Sequence, residues 1–201
     1  MHLAAARMCA IHGIRVVCRG RFPTGPAILV SNHLSYIDPV AILAHVPAGV
    51  VAKSEVGNWP LLGEVIRTMG VLMVDRGCTM SGAIVLRRAL RILRAGGSVL
   101  AFPEGTTTLG DEVLPFRRGF FGLARIAGCP MVPVAVRYES TEPCWVGDAP
   151  FLPHYLRMSA RPHTRGQVLV GEALDPRSAD SADALAEEAR LAVRDMLRSP
   201  W

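Results

Sequence analysis

Short apolar runs alternate along this chain with longer stretches of helical periodicity, and that alternation restricts the fold more than any other feature. The runs are Ala27-Ile28-Leu29-Val30, Gly49 to Lys53, Val71-Leu72-Met73-Val74, Ser98 to Phe102 and residues 131–137, with further strand-like segments at 14–19 and 167–170. They are short and bounded by glycine, proline or polar residues, as expected of strands covered on both faces. Helical segments are expected over 39–46, 58–68, 81–95, 118–127 and 181–198. The clearest is 81–95, where Ile84, Val85, Leu86, Leu90, Ile92 and Leu93 are apolar, Arg87, Arg88, Arg91 and Arg94 are basic, and Gly96-Gly97 stops the helix. In the last, Leu185, Ala189, Ala192, Val193 and Met196 share a face. Residues 139–164 read as an irregular cap with a short helix near 151–158. Strands alternating with helices predict an α/β fold, one domain over 1–201 with a central, mostly parallel sheet flanked by helices.

Half of the 201 residues are hydrophobic and 19% are charged, enough apolar surface for one well-buried core. Mean hydropathy is +0.29, yet no apolar run reaches the roughly 18–20 residues that span a bilayer. The N-terminus is broken by Arg7, His12 and Arg15 and makes a poor signal peptide. Residues 1–12 predict a short helix with Met1, Ala4, Ala5, Met8 and Ile11 on one stripe, either packed on the domain or lying on a membrane surface. A net charge of +5 favours anionic partners. Nucleic acid is not among them, because only 6% of residues are aromatic and no binding motif is present. The cysteines (Cys9, Cys18, Cys78, Cys129 and Cys144) show no C-x-x-C spacing, which argues against a metal site or a disulfide framework.

Three apolar runs end in polar motifs. After 27–31 come His33 and Asp38; after 71–74 come Asp75-Arg76; after 98–102 come Glu104-Gly105-Thr106. Ligands bind at the carboxyl ends of strands in such sheets. Imidazole is the usual base near neutral pH, and a nearby carboxylate fixes its tautomer and stabilises the cation that forms. Ser31 and Ser35 are the only nucleophiles beside the pair, so His33 is expected to activate a hydroxyl belonging to a substrate. Asp38-Pro39 also reads as a helix start, with Asp38 as N-cap and Pro39 at the first helical position. On that reading Asp38→Asn would leave melting unchanged. Arg76 offers a donor fork for phosphate or carboxylate, or an ion pair with Asp75 or Glu104. Lys53 adds a second cation or sits on the solvated surface, and Thr106 to Thr108 supply hydroxyls or a plain turn.

Taken together, these motifs resemble those of the PlsC-type glycerolipid acyltransferases, the 1-acylglycerol-3-phosphate acyltransferase family. Asn32-His33-Leu34-Ser35-Tyr36-Ile37-Asp38 is similar to the family's N-H-x-x-x-x-D motif, Gly70 to Arg76 to its second, Phe102-Pro103-Glu104-Gly105-Thr106 to its third and Val132-Pro133-Val134 to its fourth. The resemblance covers residues 13–174 and implies transfer of a fatty acyl group from acyl-CoA or acyl-carrier protein to the hydroxyl of a lysophospholipid, giving phosphatidate where the acceptor is 1-acylglycerol-3-phosphate. It implies His33 and Asp38 as catalytic residues and Arg76, Glu104, Gly105, Thr106 and Lys53 as substrate-binding residues. No cofactor or metal is implied beyond the acyl thioester. The implied location is the cytoplasmic face of the cell membrane, held peripherally or monotopically on anionic lipid, with Arg87, Arg91 and Arg94 as one candidate contact.

One departure concerns the acceptor. The third motif commonly continues with Arg and Ser, and Thr107 and Thr108 stand there instead. That removes a bidentate phosphate partner. The segment from Cys144-Trp145-Val146-Gly147-Asp148 through His154 resembles what bacterial lyso-ornithine lipid acyltransferases carry after the fourth motif, and their acceptor has no phosphate. Lyso-ornithine lipid is therefore the alternative acceptor. A basic membrane-binding adaptor without turnover is the non-enzymatic alternative.

Overall fold

The computed structural model describes residues 2–53, 72–74, 79–147 and 149–201. The chain runs α1 (His2–Ile11), β1 (Ile14–Arg19), β2 (Ile28–Ser31), α2 (Asp38–Leu43), β3 (Ala48–Lys53), β4 (Leu72–Val74), α3 (Thr79–Arg94), β5 (Ser98–Ala101), α4 (Gly119–Ala127), β6 (Met131–Tyr138), α5 (Phe151–Ser159), β7 (Thr164–Val170) and α6 (Ala182–Arg198). The expected helix at 58–68 and the residues Asp75 and Arg76 lie outside the described residues.

The strands form one sheet in the order β1-β7-β6-β2-β5-β3-β4. Strands β6, β2, β5, β3 and β4 are mutually parallel, while β7 pairs antiparallel with β6 and β1 pairs parallel with β7. The carboxyl ends of β2, β5, β3 and β4 therefore share one edge. Every residue of β2, β5 and β6 is buried, as their mostly apolar sequences predict, with Ser31, Ser98 and Arg137 the buried polar residues among them, whereas edge strand β1 alternates between half-buried and exposed residues.

Helices cover both faces. On one side Leu29, Leu100, Val132, Val134 and Val136 pack with Ala5 of α1, Ala41 and Ile42 of α2, and Met158 of α5. On the other, Ile28, Val30, Val99 and Met131 pack with Val85, Ala89 and Leu93 of α3, Phe121 of α4, and Leu185 and Ala189 of α6. Burying a side chain of this size stabilises the fold by about 1.5–3 kcal/mol.

Some expectations change. Helix α1 buries Ala5 and Cys9, and Ile11 points outward at 77% exposure, so the expected stripe is not its packed face. Strand β7 starts at Thr164 rather than 167, because Thr164, Arg165 and Gly166 pair in register with Ile14, Arg15 and Val16. Their composition is not apolar, and the ladder comes from the partner strand.

Candidate active site

Strand β2 delivers the motif loop to the sheet edge. Asn32, buried, closes the strand end against β6: its Nδ2 donates to the Val136 carbonyl at 2.9 Å, and its Oδ1 accepts from the Val136 N–H at 2.8 Å. A primary amide thus continues the ladder for one more step, and the next residue, His33, turns out of the sheet plane. Phe102, directly after β5, stacks on the His33 ring with centroids 4.1 Å apart and planes at 23°.

His33 Nδ1 lies 2.8 Å from Asp38 Oδ2. Asp38 is 0% exposed, while the His33 side chain keeps 19% exposure. The same Oδ2 accepts from the Leu34 N–H at 2.6 Å and the Ser35 N–H at 2.8 Å, and Oδ1 accepts from the Tyr138 hydroxyl at 2.7 Å. A carboxylate with this many donors has an orientation fixed by the protein. Because an ionised carboxylate only accepts, Nδ1 carries the hydrogen, and Nε2 is the basic nitrogen.

This geometry corrects the reading of Asp38 as a helix cap. Ile37 occupies the N-cap position, no side chain caps the helix, and Asp38 is the first helical residue. Its carboxylate turns back to the preceding loop instead. Pro39 then occupies the second helical position, within the first turn where its missing N–H has no intrahelical partner to lose.

Glu104, after β5, is 5% exposed. Its Oε1 accepts from the His33 N–H at 2.8 Å and its Oε2 from the Leu114 N–H at 3.1 Å. Burial raises its pKa above the ordinary value, and these two N–H groups partly offset that. Four residues on, the Thr108 N–H donates to the His33 carbonyl at 2.9 Å. The segment 104–108 therefore grips His33 by both of its backbone polar groups. Gly105 turns the chain at φ +76°, and Thr106 is exposed. Lys53 ends β3, two strands from β2 in the sheet order, and its side chain lies outside the described residues. Thus His33, Asp38, Glu104, Gly105 and Thr106 are brought together at the carboxyl ends of adjacent strands β2 and β5.

The 139–164 cap closes over the motif loop. The Trp145 N–H donates to the Leu34 carbonyl at 2.8 Å, and the Tyr36 hydroxyl lies 3.0 Å from His154 Nδ1. His154 Nε2 faces the Glu142 carbonyl at 3.2 Å. That carbonyl only accepts, so Nε2 carries the hydrogen and Nδ1 receives the Tyr36 proton. Burial lowers the His154 pKa, and Arg157 acts in the same direction.

Tyr138 is the site residue that sequence reading overlooked. Residues 132, 134, 136 and 138 share one face of β6, so the period of the strand places Tyr138 above the motif loop. A phenol at the end of an apolar strand was the available signal.

A protein-family profile described as Acyltransferase matches residues 13–137, from before β1 to the end of β6. The chain is 32% identical over 194 residues to a lyso-ornithine lipid O-acyltransferase of Pseudomonas aeruginosa, covering 94% of this chain and 74% of that protein. It is 33% identical over 116 residues to a 1-acyl-sn-glycerol-3-phosphate acyltransferase of Neisseria gonorrhoeae, covering 58% of this chain and 45% of that one. Among solved structures, that of the 1-acyl-sn-glycerophosphate (LPA) acyltransferase PlsC from Thermotoga maritima superposes with a TM-score of 0.72 over all of this chain and 79% of the other, at 23% identity.

Proposed function

This chain belongs to the acyltransferase family, and from that premise we propose that it transfers a fatty acyl group from an acyl thioester to the hydroxyl of lyso-ornithine lipid. The observation that carries the chemistry is the buried Asp38 carboxylate held 2.8 Å from His33 Nδ1, with Nε2 left as the base. In this reading Nε2 takes the proton of the acceptor hydroxyl as its oxygen attacks the thioester carbonyl. The C–O bond forms, the C–S bond breaks, and the leaving thiolate receives the proton back from His33. Asp38 stabilises the imidazolium between those events. Base catalysis of this kind supplies about 10²–10⁴-fold, and positioning of the two substrates supplies much of the remainder.

Glu104 acts as a positioning residue that holds the His33 backbone, and Gly105 and Thr106 form the rim through which the acceptor enters. Arg76 and Lys53 are proposed to bind substrate from the neighbouring strand ends β4 and β3. Acyl-CoA or acyl-carrier protein is the donor.

Lyso-ornithine lipid is favoured over lysophosphatidate because the P. aeruginosa relative matches 94% of the chain, including the cap, whereas the N. gonorrhoeae relative matches 58%. Thr107 in place of a third-motif arginine supports the same choice. Lysophosphatidate remains the second reading, on the strength of the PlsC-like motif order.

Among the described residues no helix is long and apolar enough to cross a membrane. The protein works at the cytoplasmic membrane surface, peripherally. The test offers purified protein one acyl-CoA with lyso-ornithine lipid, lysophosphatidate or no acceptor, and follows thiol release. Release dependent on lyso-ornithine lipid and lost in His33→Ala is expected. Release only with lysophosphatidate moves the activity to the second reading, absent release with intact, salt-sensitive vesicle binding returns the adaptor reading, and release independent of acceptor is thioester hydrolysis and overturns acyl transfer.

A further inference from the structure

Between Glu104 and Thr108, the two residues that grip the His33 backbone, Gly105 is pressed against a cation. A Cβ built on Gly105 would lie 2.7 Å from both Cζ and Nε of Arg117 and 3.0 Å from its Nη2. Near-equal distances to these three atoms place the guanidinium face over the space a Gly105 Cβ would fill. Arg117 is tied to the same turn through its own backbone, whose N–H donates to the Pro103 carbonyl at 3.0 Å. The positive φ of Gly105 disfavours a side chain there, and the absence of a Cβ lets the Arg117 guanidinium lie against the turn.

Among the described residues no carboxylate pairs with Arg117 and no acceptor takes its side-chain N–H groups, and the residue is exposed. Its chain neighbour Arg118, by contrast, lies 3.9 Å from Asp183. A guanidinium fixed by one face keeps the N–H edge that matches a carboxylate or phosphate in bidentate fashion.

We propose that Arg117 binds the anionic group of the acceptor lysolipid and so selects acceptors that carry a carboxylate or phosphate near the hydroxyl. The inference rests on the acyl-transfer reading above, in which the acceptor hydroxyl comes within hydrogen-bond reach of His33. An acceptor's anion stands close to its hydroxyl: the ornithine carboxylate in lyso-ornithine lipid, the phosphate in lysophosphatidate. The phosphates of acyl-CoA lie at the far end of the pantetheine arm from the thioester. A cation on the loop that grips His33 therefore faces the acceptor.

The experiment measures steady-state kinetics of the full chain and of Arg117→Ala, Arg117→Lys and Arg118→Ala with lyso-ornithine lipid, its carboxyl methyl ester and lysophosphatidate. Arg117→Ala is expected to raise the acceptor KM by about 10- to 100-fold, the usual range for a lost charged hydrogen-bonding pair. The acyl-CoA KM and kcat stay within about two-fold of wild type by the same reasoning. Arg117→Lys recovers part of the loss and Arg118→Ala behaves as wild type. With the methyl ester, wild type and Arg117→Ala become equal. Unchanged acceptor KM in Arg117→Ala overturns the proposal, and a rise confined to acyl-CoA reassigns Arg117 to the donor. Equilibrium binding of the monomeric lysolipids to wild type and Arg117→Ala separates the two claims. If wild type binds anionic lysolipid and Arg117→Ala does not, the inference stands even where turnover is absent and the acyl-transfer reading fails. Equal binding overturns it.

Discussion

The Asp38 carboxylate is the residue on which the proposed chemistry turns, and its surroundings make its substitutions informative. Asn at 38 can present its oxygen to His33, Leu34 and Ser35, but its amide must then face the Tyr138 hydroxyl, which loses its acceptor. Asp38→Asn is expected to lower turnover by about 10⁴-fold, because the imidazolium loses its counter-charge while the tautomer site survives. It also destabilises the fold by about 1–3 kcal/mol, the cost of a stranded buried donor. Unchanged melting, as a mere helix cap would give, would argue against this arrangement. Tyr138→Phe makes the complementary change. It takes one donor from the carboxylate while leaving its contact with His33 in place. The double variant removes both the stranded hydroxyl and its lost partner. Its melting loss is expected to be smaller than the sum of the single losses.

At the scale of elements, the cap depends on a neutral His154 between α5 and the motif loop. Its pKa is lowered from 6.5 by burial, so the unfolded chain takes up this proton first as pH falls. The stabilising share of the neutral form is complete above about 6.5 and is lost as pH drops below it toward the lowered folded value. Gln at 154 offers both an acceptor for the Tyr36 hydroxyl and a donor for the Glu142 carbonyl without titrating. Thermal melts from pH 7.5 to 5 are therefore expected to fall less steeply for His154→Gln than for wild type; parallel curves would remove the histidine from the acid response. At this scale the central strands were easy to read, because β2, β5 and β6 are buried on both faces and their sequences are mostly apolar. Strand β7 was only half legible, since its first residues are held by β1 rather than by their own hydrophobicity.

For the whole molecule the proposed membrane association raises the question of which side meets lipid. The exposed arginines Arg87, Arg91 and Arg94 lie on α3, which packs on one face of the sheet. Exposed Leu3 and Ile11 on α1, and Leu152 and Leu156 on α5, belong to helices on the opposite face. These two helices adjoin where the His12 and Tyr155 rings meet edge-on at 5.7 Å. One flat bilayer does not engage both sheet faces together, so the apolar side chains and the arginine stripe make separable predictions. Leu3→Ser combined with Leu152→Ser is expected to weaken binding to anionic vesicles about ten-fold or more, given about 25 cal/mol per Å² of buried apolar area. Replacing Arg87, Arg91 and Arg94 by Gln is expected to leave co-sedimentation largely intact. The reverse outcome would turn the molecule over on the membrane.

The sequence by itself determined the α/β class, the strand positions and the pairing of His33 with Asp38, because buried strands and short loop motifs write their requirements locally. It also exposed the acceptor question through Thr107. Tertiary structure decided what no local pattern carries: the reversal of β7 and β1, the turn of the Asp38 carboxylate away from its helix, and the contacts that bring Tyr138 and Arg117 to the motif loops from distant or later segments. Those contacts join residues far apart in the chain, and their geometry exists only once the sheet has set its strand order and register.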